Sequence, residues 1–512
     1  MNSRYMIVSL AVLAVALRAS PSQCFAQTDA QPIGTLMSED SGWENWRVKD
    51  GTVVARRVLK LQPQREHTPA LSIQLIPNEY HLKEGNAAVS YLQAMGFFEQ
   101  SNARKAKSDF ETKNYEISQK EGRSAWPPHS WRELRPEDLP IEEVKTYLSY
   151  TAFQPQYLAQ AAERRSFDLH RNIKDVENPL MFLLPEIQSI RELARTQSLR
   201  FLLAIAENRP DDAVAIFGQQ LAIGKHLSQE PFIVSNLVGI ACASIGWFDA
   251  AHLCELADAP NLYWAIASLP KPLVSMKASL AYEREFLFEQ FKMLREVDLS
   301  PKSNLYWRQF VPRFSQAMAG LSDESDAFLN FGETAIALTI AAGVPGAKRY
   351  LHEVEGIEIE ALDNLPKTQI FFLGVRKYYE RTRDEMFKIA YLPAAERVAA
   401  SSKTNELLEN DIKKFGWITF PSGQLLPAVQ AAMGAQGRLQ QQLALLQTIE
   451  SIRNHMAEHD NSLPQKLSDL QLPAPSDPLT GKPFRYTLHA AGATLDGSQL
   501  PGYRLQFELR TP

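Results

Sequence analysis

The string His455-Met456-Ala457-Glu458-His459 is the stretch whose residue types and spacing come nearest to chemistry. On a helix, residues four apart project from one face, so the two imidazoles can share a zinc ion. Glu458 between them can then take a proton from a metal-bound water and make it a nucleophile. A catalytic zinc takes a third protein ligand, and the downstream choices are Asp469, Asp477, Asp496 and Glu508. A second account needs no metal. The string closes a helix and runs into Asp460-Asn461-Ser462, a turn, and histidines near a helix C-terminus interact favourably with its dipole. This second account is preferred: no catalytic residue, metal ligand or cofactor is assigned. Glu458 as base with His455 and His459 as zinc ligands stands as the alternative.

Other candidates reduce to simpler physics. The acidic run from His352 to Asp363 carries Glu353, Glu355, Glu358 and Glu360, but it lacks EF-hand spacing and reads as a solvated loop. His226 and His252 lie among apolar residues at helical spacing and read as core histidines. Tyr263, Trp264 and Trp307 can line a sugar or peptide groove, although core packing accounts for them more simply. No G-x-S-x-G, Walker A or G-x-G-x-x-G string occurs, so serine-hydrolase, P-loop and Rossmann chemistry lack their usual support.

The elements that must position these residues follow from the rest of the chain. Arg4, the apolar run Ile7 to Leu17 and the small-residue pattern at Cys24-Phe25-Ala26 read as a signal peptide over residues 1–26. The chain is therefore expected to be exported, to a bacterial periplasm or the exterior. The formal charge is −5, and removing Arg4 and Arg18 with no acid makes the mature chain more acidic still. Such a surface argues against nucleic-acid partners. No later stretch is expected to span a membrane; the best, Ala335 to Val344, is about half the ~20 residues required. Cys242 and Cys254 would lie ~18 Å apart along one helix, so buried free thiols are expected rather than a bridge.

Of the 512 residues 45% are apolar and 22% charged, and the 31 prolines outnumber the 24 glycines, which suits helices punctuated by proline. Residues 27–85 read as an extended N-terminal arm with short strands. Thr52 to Leu61 is rich in valine and leucine, Leu71, Ile73 and Leu75 alternate with polar residues, and Pro63, Pro69 and Pro77 confine these runs to edges. Asn86 is a helix N-cap, and residues 86–435 read as an α-helical hairpin body. Within it, residues 101–140 are charged and proline-bearing, which suggests a long loop packed by Trp126 and Trp131. Residues 436–512 read as a small α+β module. Its helix carries the stripe Leu439, Leu443, Leu446, Ile449, Ile452 and Met456, followed by strands around Phe484, Tyr486 and Leu488 and from Tyr503 to Leu509. The expected fold is mainly α: stacked helical hairpins with an extended N-terminal arm and a small C-terminal α+β module.

Three resemblances attach to these residues. The His455–His459 string resembles the inverzincin pattern, which implies a zinc-dependent hydrolase. Ala204, Ala213, Phe217 and Leu221, around the turn Asn208-Arg209-Pro210-Asp211, resemble a tetratricopeptide hairpin, with an echo at Ala241, Gly246, Ala250 and Leu253. Leu463-Pro464, Leu467 to Leu470 and Asp477-Pro478-Leu479-Thr480-Gly481-Lys482-Pro483-Phe484-Arg485-Tyr486 resemble the module after the long helix in type II secretion pseudopilins. That resemblance implies an accessory role in an envelope secretion assembly. Major pseudopilins bind calcium through an acidic C-terminal loop, and here the matching stretch, Ala493 to Gly502, carries only Asp496. The leading expectation is an exported, non-enzymatic protein that binds a protein partner through a helical surface.

Overall fold

Valine-rich Val53–Lys60 forms strand β2, yet it is no edge. In the computed structural model, which describes residues 43–47, 53–96, 102–122, 127–171, 184–319, 333–498 and 503–512, β2 lies between β1 (Trp43–Arg47) and the last strand of the chain. The expectation of edge strands is corrected here: Pro63 falls past the end of β2, so every β2 residue keeps the N–H its ladder needs. Short β3 (Lys83–Asn86) and β4 (Arg164–Ser166) pair apart from this sheet. The C-terminal segment supplies β5 (Arg485–His489), β6 (Gly492–Asp496) and β7 (Tyr503–Arg510).

The order β1-β2-β7-β6-β5 makes one five-stranded sheet from both ends of the chain. The β2–β7 pair is parallel, running in register from Val53↔Tyr503 to Lys60↔Arg510, and the other pairs are antiparallel. Parallel neighbours need a crossover connection. Here the whole helical body is that crossover. The strands drawn from 27–85 and from 436–512 are thus halves of one sheet, and β6 adds a strand that the alternation pattern had not revealed.

The protein is mainly α-helical, with this small sheet and the β3–β4 pair as its β component. The expected N-cap forms: Asn86 Oδ1 accepts the Ala88 N–H at 3.0 Å and starts helix Ala87–Met95. The turn at Asn208–Pro210 joins helices Pro185–Ala206 and Pro210–Leu227 into a hairpin. Helix Ile233–Ala250 packs on the second of these. Their backbones approach closely: a Cβ on Gly224 or Gly239 would lie 3.0 Å from the other residue's carbonyl oxygen. The apolar segment Ile233–Glu255 is long and apolar enough to cross a membrane, although the expectation favoured Ala335 to Val344. The share of it that is buried, 72%, marks it as the central helix of this stack.

Two further expectations are corrected. The segment around Leu71, Ile73 and Leu75 forms no strand but bends and turns, with Leu71 exposed and Leu75 buried. Prolines 63, 69 and 77 deny it a ladder, and the Leu75 carbonyl lies against Gly218, where only a missing side chain leaves room. Residues 102–120, expected as loop, form helix Asn102–Lys120. Its charged face turns outward while Phe110 packs against Trp131 and Tyr147. Residues 1–42, with the signal segment and Cys24, and Trp126 lie outside the described residues.

One 39-residue helix, Phe420–Glu458, organises the interior. Val429, Ala432 and Met433 belong to a core built from helices between Lys277 and Phe387. From Ala435 onward the same helix enters the core formed by the hairpin stack and the sheet. Leu439, Leu443, Leu446, Ile449, Ile452 and Met456 all bury, as their spacing predicts. Across that core Trp43 of β1 meets Trp247, Phe248 and Phe507 at ring separations of 6.0, 5.5 and 5.6 Å. Cys242 and Cys254 are buried free thiols.

Candidate functional site

His455 lies in the last turn of the long helix and His459 is its C-cap. Their rings stack with centroids 3.9 Å apart and planes 12° apart. His459 Nδ1 donates to the His455 carbonyl at 2.9 Å, satisfying one of the carbonyls a helix end leaves open. Burial, together with neighbouring His459, holds the His455 imidazole below its ordinary pKa, and His455 Nδ1 is buried without a hydrogen-bond partner. Glu458 is exposed, and its two carboxylate oxygens lie 2.9 and 2.6 Å from the Gln471 side-chain amide nitrogen when that amide is oriented to donate.

The four acids considered as a third zinc ligand are engaged elsewhere. Asp469 Oδ2 accepts the Lys466 N–H at 3.2 Å and closes a short 3₁₀ turn. Buried Asp477 accepts from Leu479 N, Ser498 N and Gln441 Nε2, each at 2.9 Å. Asp496 accepts from Gln506 Nε2 at 2.7 Å, and Glu508 faces His489 Nε2 at 3.3 Å. Among the described residues no group of three or more His, Cys, Asp and Glu is placed to hold a metal. His459 caps the long helix, and the two rings stack with no third ligand converging on them among the described residues.

The remaining sequence candidates also have internal partners. Acids of the His352–Asp363 run pair one by one: Glu353 with Lys414 at 2.7 Å, Glu355 with the Tyr350 hydroxyl at 2.9 Å, and Asp363 with Lys348 at 2.5 Å. His226 accepts at Nδ1 from the Tyr91 hydroxyl (2.9 Å), and its Nε2 donates to the Arg164 carbonyl (2.8 Å). His252 Nδ1 accepts from the buried Arg57 guanidinium at 2.9 Å. Tyr263 donates to the Pro473 carbonyl, Trp264 Nε1 to Glu66, and Trp307 stacks on Phe372 in the core.

Sequence reasoning missed a surface. Helix Glu333–Glu353 buries Ile336, Ile340, Ala347 and Leu351, so its opposite face should be polar. Instead Leu338, Ala341, Ala342 and Pro345 are exposed at successive turns of that face, with Leu338 at 67%. Trp417 is 45% exposed, and its Cβ lies near Gly343, a buried position of the same helix. Nine of the thirteen large apolar side chains exposed among the described residues fall in the sequence from Leu299 to Trp417. The run Ala335 to Val344 carried the signal, because a helix apolar all round is covered on all sides.

No protein-family model matches the chain, no curated protein matches it, and no solved structure matches it.

Proposed function

We propose that this chain is an exported, non-enzymatic binding protein that engages another protein through the apolar ridge of helix Glu333–Glu353. The observation that carries this reading is the exposed row Leu338, Ala341, Ala342 and Pro345 on an otherwise well-packed helix. Contiguous exposed apolar surface of this kind marks contact sites. A partner helix with its own apolar stripe fits a straight ridge of small and medium side chains, whose low relief lets two helices approach at ~8–10 Å. The engagement of Asp477, His226 and His252 in internal hydrogen bonds supports a binding role over a catalytic one. Export rests on the apolar segment Ile7 to Leu17 and its flanks.

The test uses the chain from Gln27 onward, cross-linked to an envelope extract and compared with a Leu338→Glu/Ala342→Glu variant. The expected result is a discrete partner recovered with the parent chain and lost with the variant at an unchanged melting temperature. Identical recoveries by the two proteins would overturn the proposal. Fractionation of a tagged full chain checks export, and retention in the cytoplasm would count against it.

A further inference from the structure

The turn Asp477–Gly481 and the adjoining strand ends enclose a cavity of about 240 Å³ in the C-terminal module. Thr480, Lys482, Phe484, Arg485, Ser498 and Arg504 line it, and Asp477 and Asp496 form part of its wall. Local chemistry builds this shape. Asp477 ties down the turn through Leu479 N and, across the cavity, Ser498 N, while Gly481 takes φ +68°, which a side chain would resist. Thr480 Oγ1 accepts the Lys482 N–H and orders the exit of the turn. Buried Phe484 then leads into β5 beside Arg485.

The charges in this cavity divide unevenly. Both acids are committed to the protein: Asp477 accepts three hydrogen bonds, and Asp496 accepts one from Gln506. The cations are not. Among the described residues, the Lys482 ammonium and the Arg485 guanidinium have no hydrogen-bonded or ion-paired partner. Arg504 has one ion pair, a long 4.0 Å approach to Asp496, and its Nε is buried with no hydrogen-bond partner. Each of these side chains keeps N–H donors free to meet an acceptor placed in the cavity.

We propose that this cavity binds an oxyanion, a carboxylate or phosphate group carried on a small molecule or chain end. An arginine fork suits such groups because two parallel N–H donors match two oxygens, and a lysine adds a point charge at the mouth. The volume suits one anionic headgroup with a short stem rather than a whole drug-sized ligand. The ligand is opposite in sign to the calcium that the pseudopilin resemblance implies for this region. Here the cations are the open groups, while the one acid of the corresponding loop already serves Gln506 and faces Arg504.

The proposal is tested by titrating the chain from Gln27 onward with sodium phosphate and with sodium succinate. Sodium chloride at matched ionic strength and calcium chloride serve as comparators, and binding is read by calorimetry and thermal shift. Saturable binding of phosphate, of succinate or of both is expected, each outcome naming the source of the oxyanion. Arg504→Gln should weaken it about tenfold or more, since charge-assisted hydrogen bonds of ~1.5–3 kcal/mol are lost. Lys482→Gln, an exposed change that leaves the sheet intact, should weaken it by a smaller factor and keeps the test open if Arg504→Gln misfolds. Absence of saturable binding beyond chloride, binding of calcium alone, or equal affinity in both variants would overturn the proposal.

Discussion

Arg453 and Glu450 form an ion pair in which neither side chain is exposed to solvent, with Nη1 2.9 Å from one carboxylate oxygen and 3.1 Å from the other. The pair does more than neutralise itself. Arg453 Nε donates to the Gln62 carbonyl and Nη2 to the Ala259 carbonyl, while the Gln64 N–H returns to the Arg453 carbonyl. Residues 62–64 follow β2, so this guanidinium fastens the N-terminal segment to the long helix beside the strand that pairs with β7.

Removing one partner leaves the other buried and uncompensated. Arg453→Met should cost about 3–5 kcal/mol of unfolding free energy, and Glu450→Gln/Arg453→Met should cost less than the single change. Urea denaturation of the parent chain and the two variants measures this. A double variant less stable than Arg453→Met would contradict the role assigned to the pair.

The shared sheet predicts that residues 436–512 do not fold alone. Without β2, one side of β7 presents an open ladder, and Leu505 and Phe507 lose Trp43 and Ala55 from the core. Expressed by itself this segment should give the collapsed amide spectrum of an unfolded chain. Linking residues 43–61 in front of it should restore dispersion. A well-dispersed spectrum from 436–512 alone would refute the interdependence.

Asp249 sits buried between Ser198 Oγ (2.9 Å) and Gln220 Nε2 (3.2 Å), and burial pushes its carboxyl up to about 6. A carboxyl raised above its unfolded value favours the folded state most when protonated. Its contribution is therefore complete below about pH 4 and lost as pH rises through about 6, a swing of up to about 3 kcal/mol. Asp249→Asn removes that loss, and an inverted Gln220 amide can accept from the new NH2, since Gln220 Oε1 is without a partner. The variant should gain about 1–3 kcal/mol at pH 7.5 and little at pH 4, read by denaturation at both pH values. Equal destabilisation at both would sink this account.

His226 works in the opposite sense. Burial holds its imidazole down to about 4, with the neutral ring fixed between Tyr91 and the Arg164 carbonyl. The stabilisation from a depressed histidine is present above its unfolded value near 6.5 and is lost as pH falls towards 4. In His226→Gln the stability difference between pH 7 and pH 4.5 should shrink by about 1–3 kcal/mol. An unchanged difference would show that other groups govern the acid limb.

Gly218 tests the path of the N-terminal segment. A Cβ there collides with the Leu75 carbonyl, which is backbone and cannot swing aside. Gly218→Ala should destabilise by about 1–3 kcal/mol despite the better helix propensity of alanine, as measured by thermal or urea unfolding. A stabilised variant would mean that the 62–82 segment packs elsewhere.

Much of the helical body was legible because its signals are local. Asn86 as a cap, Asn208–Pro210 as a turn, and the stripe from Leu439 to Met456 each state their structure within a few residues. The candidate site was legible only in part. The His455–His459 string announces a helix end as clearly as it suggests zinc, while the stacking of its rings and the separate partners of the four acids come from the tertiary structure. The ridge at Leu338 and the cations around Arg504 come from faces that one-dimensional periodicity does not display.

The amino-acid order by itself determined the mainly helical class, the buried thiols and the alternation of the final strand. These depend on spacing along one segment, where periodicity of 3.6 or 2 sorts apolar from polar side chains. Tertiary structure decided what β2 pairs with, where Leu75 rests, and why a helix grows from charged residues 102–120. Those outcomes depend on contacts between segments up to about 450 residues apart, such as Val53 with Tyr503. A backbone N–H carries no mark of its distant acceptor, so pairing between the chain's two ends is settled only when the helical body brings them together.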